Sequence, residues 1–384
     1  MTRKICVVIT ARPSYSRVRS LLHAVKEHLD LELQLVVAAS ALLSRYGGTD
    51  ETIEQEGYRI DRRGFNILEG ENHVTSAKST GLGLAELATV FADLKPDVVV
   101  TIADRFETMA TAVAASYMNI PLAHVQGGEV TGSIDEKVRH AITKLADLHF
   151  VASDSAASRV IRMGEREETV HVTGCPSIDV ARAAIEADVP PLDPFENFGG
   201  VGPRLDINDG YHVVMQHPVT TEYEESRRNV EETLHAVAGL GTPALWFWPN
   251  VDAGSDGTSN GIRSFRENHA PDNIHFFKSL PPEDFIRLLD GCKCIIGNSS
   301  VGIRECAWLG VPTVNIGGRQ AGRDRAANVR DVGYDRDEIR GAIEERLATG
   351  RHPSDHLYGD GEAGPRIADL LASVPLTVEK RLTY

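Results

Sequence analysis

Cysteine is scarce and badly placed for cross-linking. Cys6, Cys175, Cys292, Cys294 and Cys306 are five residues in 384, odd in number and scattered. A disulfide-stapled scaffold is excluded, and none of the spacings is that of a zinc site. Cys292 and Cys294 form a lone C-x-C that reads as two strand residues rather than as ligands. No other metal-ligand or cofactor spacing stands out, so neither a metal nor a cofactor is expected. Positive charge is lacking as well. There are 40 Lys and Arg against 55 Asp and Glu, a formal net charge of -15. A general nucleic-acid or anionic-membrane binder needs a basic surface and is excluded. An anionic ligand would have to be held by local arginines and backbone N–H groups. No apolar run reaches membrane-spanning length, and the N-terminus enters a strand almost at once, without a signal-peptide apolar stretch. A reduced, cytoplasmic protein without a membrane partner is expected. No short period repeats, and no tract is of low complexity.

What is present is ordinary globular chain. At 42% hydrophobic and 25% charged residues, its length allows two sizeable cores. Lys4–Ile9 (KICVVI) is a nearly unbroken apolar run, the mark of a parallel strand covered on both faces. A helix over Arg12–Glu27 follows, with Val18, Leu21, Leu22 and Val25 on its buried side. The alternation continues through strands at 32–38, 97–102, 121–125, 148–152 and 170–172, and helices at 82–94, 106–117 and 134–145. Residues 47–78 are polar and read as the least regular part, a loop. Pro190, Pro191, Pro194 and Pro203 with Gly199, Gly200 and Gly202 then give 188–208 the composition of a linker. Beyond it the alternation restarts, with strands at 212–215, 244–248, 274–277, 294–296 and 313–316. Helices are expected at 224–238, 260–268, 282–290, 302–309, 337–349 and 364–371. The fold class expected is α/β, two Rossmann-like doubly wound domains facing a cleft, over 1–188 and 209–362, with ligand at the carboxyl ends of the strands.

One stretch organises the rest: Ile295 to Arg325, IIGNSSVGIRECAWLGVPTVNIGGRQAGRDR. A buried strand breaks at Gly297-Asn298-Ser299-Ser300, and Gly302 opens a helix running to Leu309. Unpartnered first-turn N–H groups, two serine hydroxyls and the later Arg319, Arg323 and Arg325 suit a diphosphate, and Glu305 suits a ribose. The alternative is an ordinary strand–turn–helix. Other strand ends carry similar clusters. Arg12 leads into Ser14 and Ser16, Asp104 stands beside Arg105, and Gln126-Gly127-Gly128-Glu129 precedes Asp135. His217 follows the strand at 212–215, and Pro249-Asn250-Val251-Asp252-Ala253-Gly254 follows another. Taken singly, Asp104 also reads as a helix cap, Asp135 as a first-turn acid and His217 as a strand-end histidine. Arg12 opposes the dipole of its own helix and reads as an anion ligand.

In order along the chain, Arg12-Pro13-Ser14-Tyr15-Ser16, Asp104-Arg105-Phe106, His124-Val125-Gln126-Gly127-Gly128-Glu129-Val130, IDEKVRHAITKL (134–145), Gln216-His217-Pro218-Val219-Thr220, Pro249 to Gly254, Gly297-Asn298-Ser299-Ser300 and Gly318 to Arg323 resemble the UDP-N-acetylglucosamine 2-epimerases. The nearest branch is the hydrolysing one. The resemblance implies a glycosyltransferase-B architecture with a last helix (363–384) crossing back, a homodimer, and a UDP-sugar substrate for sialic- or legionaminic-type sugars. It puts catalytic roles on Asp104, Asp135 and His217, with Gln126 and Glu129 beside them. Substrate or UDP contacts fall on Arg12, Ser16, Arg105, Asn250, Asp252, Asn298, Ser299, Ser300, Gly302, Glu305, Arg319 and Arg323. Gln126 departs from the family pattern, which has glutamate there. A glutamine neither takes nor gives a proton, so the missing carboxylate matters less here, Glu129 takes over, or the substrate differs.

The chemistry explains these residue types. C2–H of the sugar becomes acidic only as UDP leaves and C1 gains oxocarbenium character. The protein must stabilise departing diphosphate charge and hold a base at C2. The expected activity is elimination of UDP and hydration of the glycal to N-acetylmannosamine. A glycosyltransferase, a non-hydrolysing 2-epimerase or a nucleotide-sugar-binding regulator would use the same pocket.

Overall fold

A computed structural model describes residues 2–43, 48–68, 73–102, 105–131, 134–219, 222–249 and 255–383. They pack as two compact units. One comprises Met1–Glu129, Ile134–Val180 and Gly359–Tyr384, the other Val130–Ser133 and Ala181–Tyr358.

The first unit is built on seven parallel strands: β1 (Arg3–Ile9), β2 (Leu31–Ala38), β3 (Arg62–Gly64), β4 (Val98–Ile102), β5 (Leu122–Val125), β6 (Leu148–Val151) and β7 (Val170–Val172). Their order is β3-β2-β1-β4-β5-β6-β7. The chain winds outward one way from β1 and the other way from β4, so the two neighbours β1 and β4 form the switch point. The continuous apolar runs exist because both faces are covered. Ile5, Val7 and Ile9 pack under helix Arg12–Glu27, while Cys6 and Val8 turn to the opposite core with Leu87, Phe91 and Ala112. Helix Ala363–Ser373 docks on helix Arg12–Glu27, and Asp179 caps it by accepting from the Ala363 and Gly364 N–H groups.

Two elements lie where a loop was expected in 47–78: helix Thr49–Gln55 and strand β3, followed from His73 by the first turns of helix His73–Leu94. Their signals are weak for a physical reason. In the short helix Ile53 is the one fully buried side chain, and β3 is a charged three-residue edge strand, paired at Val36–Arg62. Residues 44–47 and 69–72 of this region lie outside the described residues.

After helix Ala363–Ser373 the chain pins itself to the far end of the same sheet. Lys380 donates to Glu165 at 2.5 Å and to the Ala146 carbonyl, and the Thr383 hydroxyl donates to the Glu165 carbonyl. Lys144 and His149 also reach the Glu165 carboxylate. Burial pushes that carboxyl up, but these three partners outweigh it and hold it at about 2. Lys380→Met removes one charge-assisted partner from a buried carboxylate. It should destabilise the protein by about 1.5–3 kcal/mol, read as a fall in the urea midpoint at unchanged slope. An unchanged midpoint would mean that the tail contributes nothing.

The second unit has six parallel strands: β8 (His212–Met215), β9 (Ala244–Phe247), β10 (Ile274–Phe277), β11 (Cys294–Gly297), β12 (Thr313–Ile316) and β13 (Val329–Val332). Their order β10-β9-β8-β11-β12-β13 puts a second switch point between β8 and β11. Val214 and Trp246 face one core, Val213, Leu245 and Phe247 the other. The segment 188–208 packs onto this unit. It forms a short helix, Pro194–Phe198, and Val201 bridges to Phe276. His275 lies within hydrogen-bond reach of the Gly199 and Pro203 carbonyls. Among the described residues no helix is long and apolar enough to cross a membrane.

Candidate active site

In a doubly wound sheet the strand ends at the switch point diverge and leave a crevice for ligand. In the second unit this is where His217 and Asn298 meet. Asn298, wholly buried, follows β11, and its side chain clamps the His217 backbone from both sides. The His217 N–H donates to Asn298 Oδ1 at 2.7 Å, and Asn298 Nδ2 donates to the His217 carbonyl at 2.8 Å. The approach demands glycine at 297. It sits at φ +132°, and a Cβ there would lie 2.2 Å from the Met215 carbonyl oxygen. The Asn298 carbonyl in turn accepts from Arg319 Nη1 at 3.2 Å and Gln320 Nε2 at 2.8 Å. Burial, with Arg319 nearby, pushes His217 well below its ordinary value of 6.5. His217 is therefore a neutral imidazole at physiological pH. In that form it can act as a base or as an N–H donor.

The turn after Asn298 differs from expectation. In place of one helix over 302–309, Ser300–Ile303 and Glu305–Leu309 are separate short helices, broken at Arg304 (φ -99°, ψ -70°). The Gly302 carbonyl, which would continue the helical ladder, accepts instead from the Thr313 hydroxyl at 2.9 Å and Asn328 Nδ2 at 3.3 Å. A four-residue helix has little dipole, so anion binding here would rest on side chains. Ser299 Oγ accepts from the Val301 N–H and Ser300 Oγ accepts from Arg304 Nη2 at 3.0 Å. Both hydroxyl protons stay available to donate to an anion. Glu305 is buried, its Oε2 4.0 Å from Arg304 Nε and not hydrogen-bonded among the described residues, an acceptor open to a ligand hydroxyl. Arg323 is half-buried in a loop that Arg325 holds, donating to the Gln320 and Arg323 carbonyls and pairing with Asp331. Asn250 and Asp252 lie outside the described residues, as does Asp104.

In the first unit, Arg12 and Arg105 follow the two switch strands, β1 and β4. Helix Arg12–Glu27 has no side-chain cap and no acid in its first turn, with Pro13 inside it. Its N–H groups suit an anion. Ser16 Oγ donates back to the Arg12 carbonyl. Arg105 Nε lies 3.3 Å from Glu107, a carboxylate 1% exposed. Glu107 also meets the Ser40 hydroxyl at 3.0 Å, which is equally close to the Thr10 carbonyl. Glu107 and Ser40, which join the two switch strands, were missed from sequence. Glu107 reads there only as a helix first-turn acid. Asp135 is half-buried in the first turn of helix Ile134–Leu145. Gln126 is buried, at φ +65°, with its amide nitrogen donating to Cys175 Sγ. Glu129 is 6% exposed and follows two glycines in the same turn.

Two doubly wound parallel sheets with these switch points define the glycosyltransferase-B type of fold. Over residues 23–372 the chain matches the UDP-N-acetylglucosamine 2-epimerase family, and it belongs to that family. It is 33% identical to the hydrolysing UDP-N,N'-diacetylbacillosamine 2-epimerase of Legionella pneumophila, over 98% of this chain and 97% of that one. It is 30% identical to the hydrolysing GDP/UDP-N,N'-diacetylbacillosamine 2-epimerase of Campylobacter jejuni, over 86% of this chain and 84% of that one. Among solved structures, the Neisseria meningitidis UDP-GlcNAc 2-epimerase bound to UDP-GlcNAc superposes with a TM-score of 0.81 at 18% identity, covering 96% of this chain and 99% of that one. A Staphylococcus aureus MnaA–UDP structure gives 0.78 at 19% identity, covering 96% of each chain.

Proposed function

We propose that this chain is a hydrolysing 2-epimerase. It eliminates UDP from UDP-N-acetylglucosamine or a close 2-acetamido sugar and hydrates the product with inversion at C2. The C1–O bond to the diphosphate breaks as a base takes the C2 proton, leaving a double bond between C1 and C2. Water then adds its hydroxyl to C1, and a proton returns to C2 from the opposite face. The second unit would hold UDP, with Arg319, Arg323 and the Ser299 and Ser300 hydroxyls on the diphosphate and Glu305 on the ribose. The first unit would supply Arg12 and Arg105 for phosphate or sugar, with Asp104 and Asp135 as base and cation stabiliser. Each donor aimed at departing charge in a water-excluded site is worth about 3–4 kcal/mol.

The observation that carries this reading is the His217 backbone clamped by the side chain of Asn298, whose own carbonyl holds Arg319, at the second switch point. A neutral imidazole N–H beside an arginine suits a diphosphate that leaves as an anion. The names of the Legionella and Campylobacter relatives favour hydrolysis and admit a 4-acetamido substituent.

Incubation with UDP-N-acetylglucosamine, and with its 4-acetamido-6-deoxy analogue, in D₂O tests the reading. Free UDP and a mannosamine-type sugar deuterated at C2 are expected. Deuterium in a UDP-sugar still intact would make it a non-hydrolysing epimerase. UDP release only with an added acceptor, with C2 protonated, would make it a transferase. No release from either sugar would leave a binding protein.

A further inference from the structure

The turn after β5 is held more firmly than a solvent-facing loop needs. Gln126 (φ +65°) and Gly128 (φ +75°) both lie in the left-handed region, and a Cβ at 128 would meet the Ala156 carbonyl oxygen at 2.3 Å. At a non-glycine residue such as Gln126, such backbone persists only where its surroundings over-determine it. Here they do. Arg139 Nη1 donates to the Glu129 carbonyl at 2.9 Å, and Arg159 Nη1 to the Gly128 carbonyl at 3.2 Å. The Gln126 amide is tied to Cys175, whose sulfur lies 2.9 Å from the Ser177 hydroxyl. Beneath Gly127, His124 Nδ1 and Thr143 Oγ1 are 3.1 Å apart. Arg139 is the unusual member. It is 1% exposed, and a guanidinium is costly to bury for packing alone. It also stands one helical turn beyond Asp135, on the same face of helix Ile134–Leu145, so it ties the helix carrying Asp135 to the turn carrying Glu129.

We infer that Arg139 and Arg159 are positioning residues. By fixing the Gly128 and Glu129 peptide planes they set where the Gln126 amide and the Glu129 carboxylate stand relative to Asp135. The inference uses the hydrolysing-epimerase reading for its kinetic readout only.

The test measures UDP release, UDP affinity by calorimetry and melting temperature for Arg139→Lys, Arg159→Met and the double variant. Arg139→Lys should lower kcat about 10²-fold, the cost of a misplacement of about an ångström, with UDP Kd within twofold of wild type. Arg159→Met, half-buried and safer for folding, should lower it about tenfold, on the same scale. The double variant should lose less than the product of the two, because both act through one turn. In wild-type enzyme that turns over, kcat within twofold for Arg159→Met, or losses that follow unfolding or UDP affinity, would overturn the inference. If wild type releases no UDP from any sugar, the functional reading falls instead. Hydrogen exchange then decides: amides of 127–129 exchanging at least about tenfold faster in Arg159→Met, with the rest of the first unit unchanged, uphold the positioning role. Unaltered exchange overturns it.

Discussion

Asn298→Ala is expected to destabilise the protein by about 2–6 kcal/mol and to cut turnover about 10²-fold. The wild-type amide does two jobs at once, accepting from the His217 N–H and donating to the His217 carbonyl across β8 and β11. Alanine removes both and leaves two buried backbone groups without partners, each costing about 1–3 kcal/mol. The backbone carbonyl of residue 298 survives, so the contacts from Arg319 and Gln320 are kept in principle. What fails is the register of His217 against them. Urea unfolding reads the first effect and UDP release below saturation the second. A variant that melts and turns over like wild type would show that the clamp is decorative. Asn298→Asp separates the halves. It keeps an acceptor for the His217 N–H, loses the donor to the carbonyl and adds a charge near Arg319, so turnover should suffer more than stability.

How much of this was legible depends on whether a feature is local. KICVVI and DVVVTI announce buried parallel strands because both faces of a doubly wound sheet need apolar side chains. The restart of the alternation after 208 announces a second sheet. The edge strands β3 (RRG) and β13 (VRDV) were illegible, because half their surface meets water and tolerates charge. The helix break at Arg304 was illegible for another reason. Its cause lies in Thr313 and Asn328, which take the Gly302 carbonyl from positions no local window contains. Site residues divide the same way. His217 and Asn298 each stand out at a strand end, yet their reciprocal hydrogen bonds join positions 81 apart. Arg139 lies within IDEKVRHAITKL, but only its burial singles it out there.

His217→Asn is expected to lower kcat/KM by about 10²–10⁴-fold if the imidazole moves or holds a proton in the reaction. Asparagine retains a donor but has no useful basicity, so the loss measures proton chemistry more than packing. The pH dependence sharpens the test, since kcat/KM reports the free enzyme. Burial and Arg319 hold His217 well below 6.5, so no inflection near 6.5 should come from it. An inflection there in wild type that vanishes in His217→Asn would mean that this histidine titrates normally, against the assignment. Stability supplies an independent reading. A histidine whose folded pKa is depressed contributes fully above 6.5, where the unfolded chain is neutral too. That contribution is lost as pH falls from 6.5 toward the folded value, because the unfolded chain takes up a proton the folded one refuses. His212, pushed by burial and then by Lys293 to about 4, follows the same rule, and its share is about 3 kcal/mol spent between 6.5 and 4. Wild type should therefore weaken progressively below 6.5, and His217→Asn should weaken with a shallower slope, by up to one proton. Equal slopes for the two proteins would place His217 in contact with water, and with that the neutral donor at the second switch point would be lost.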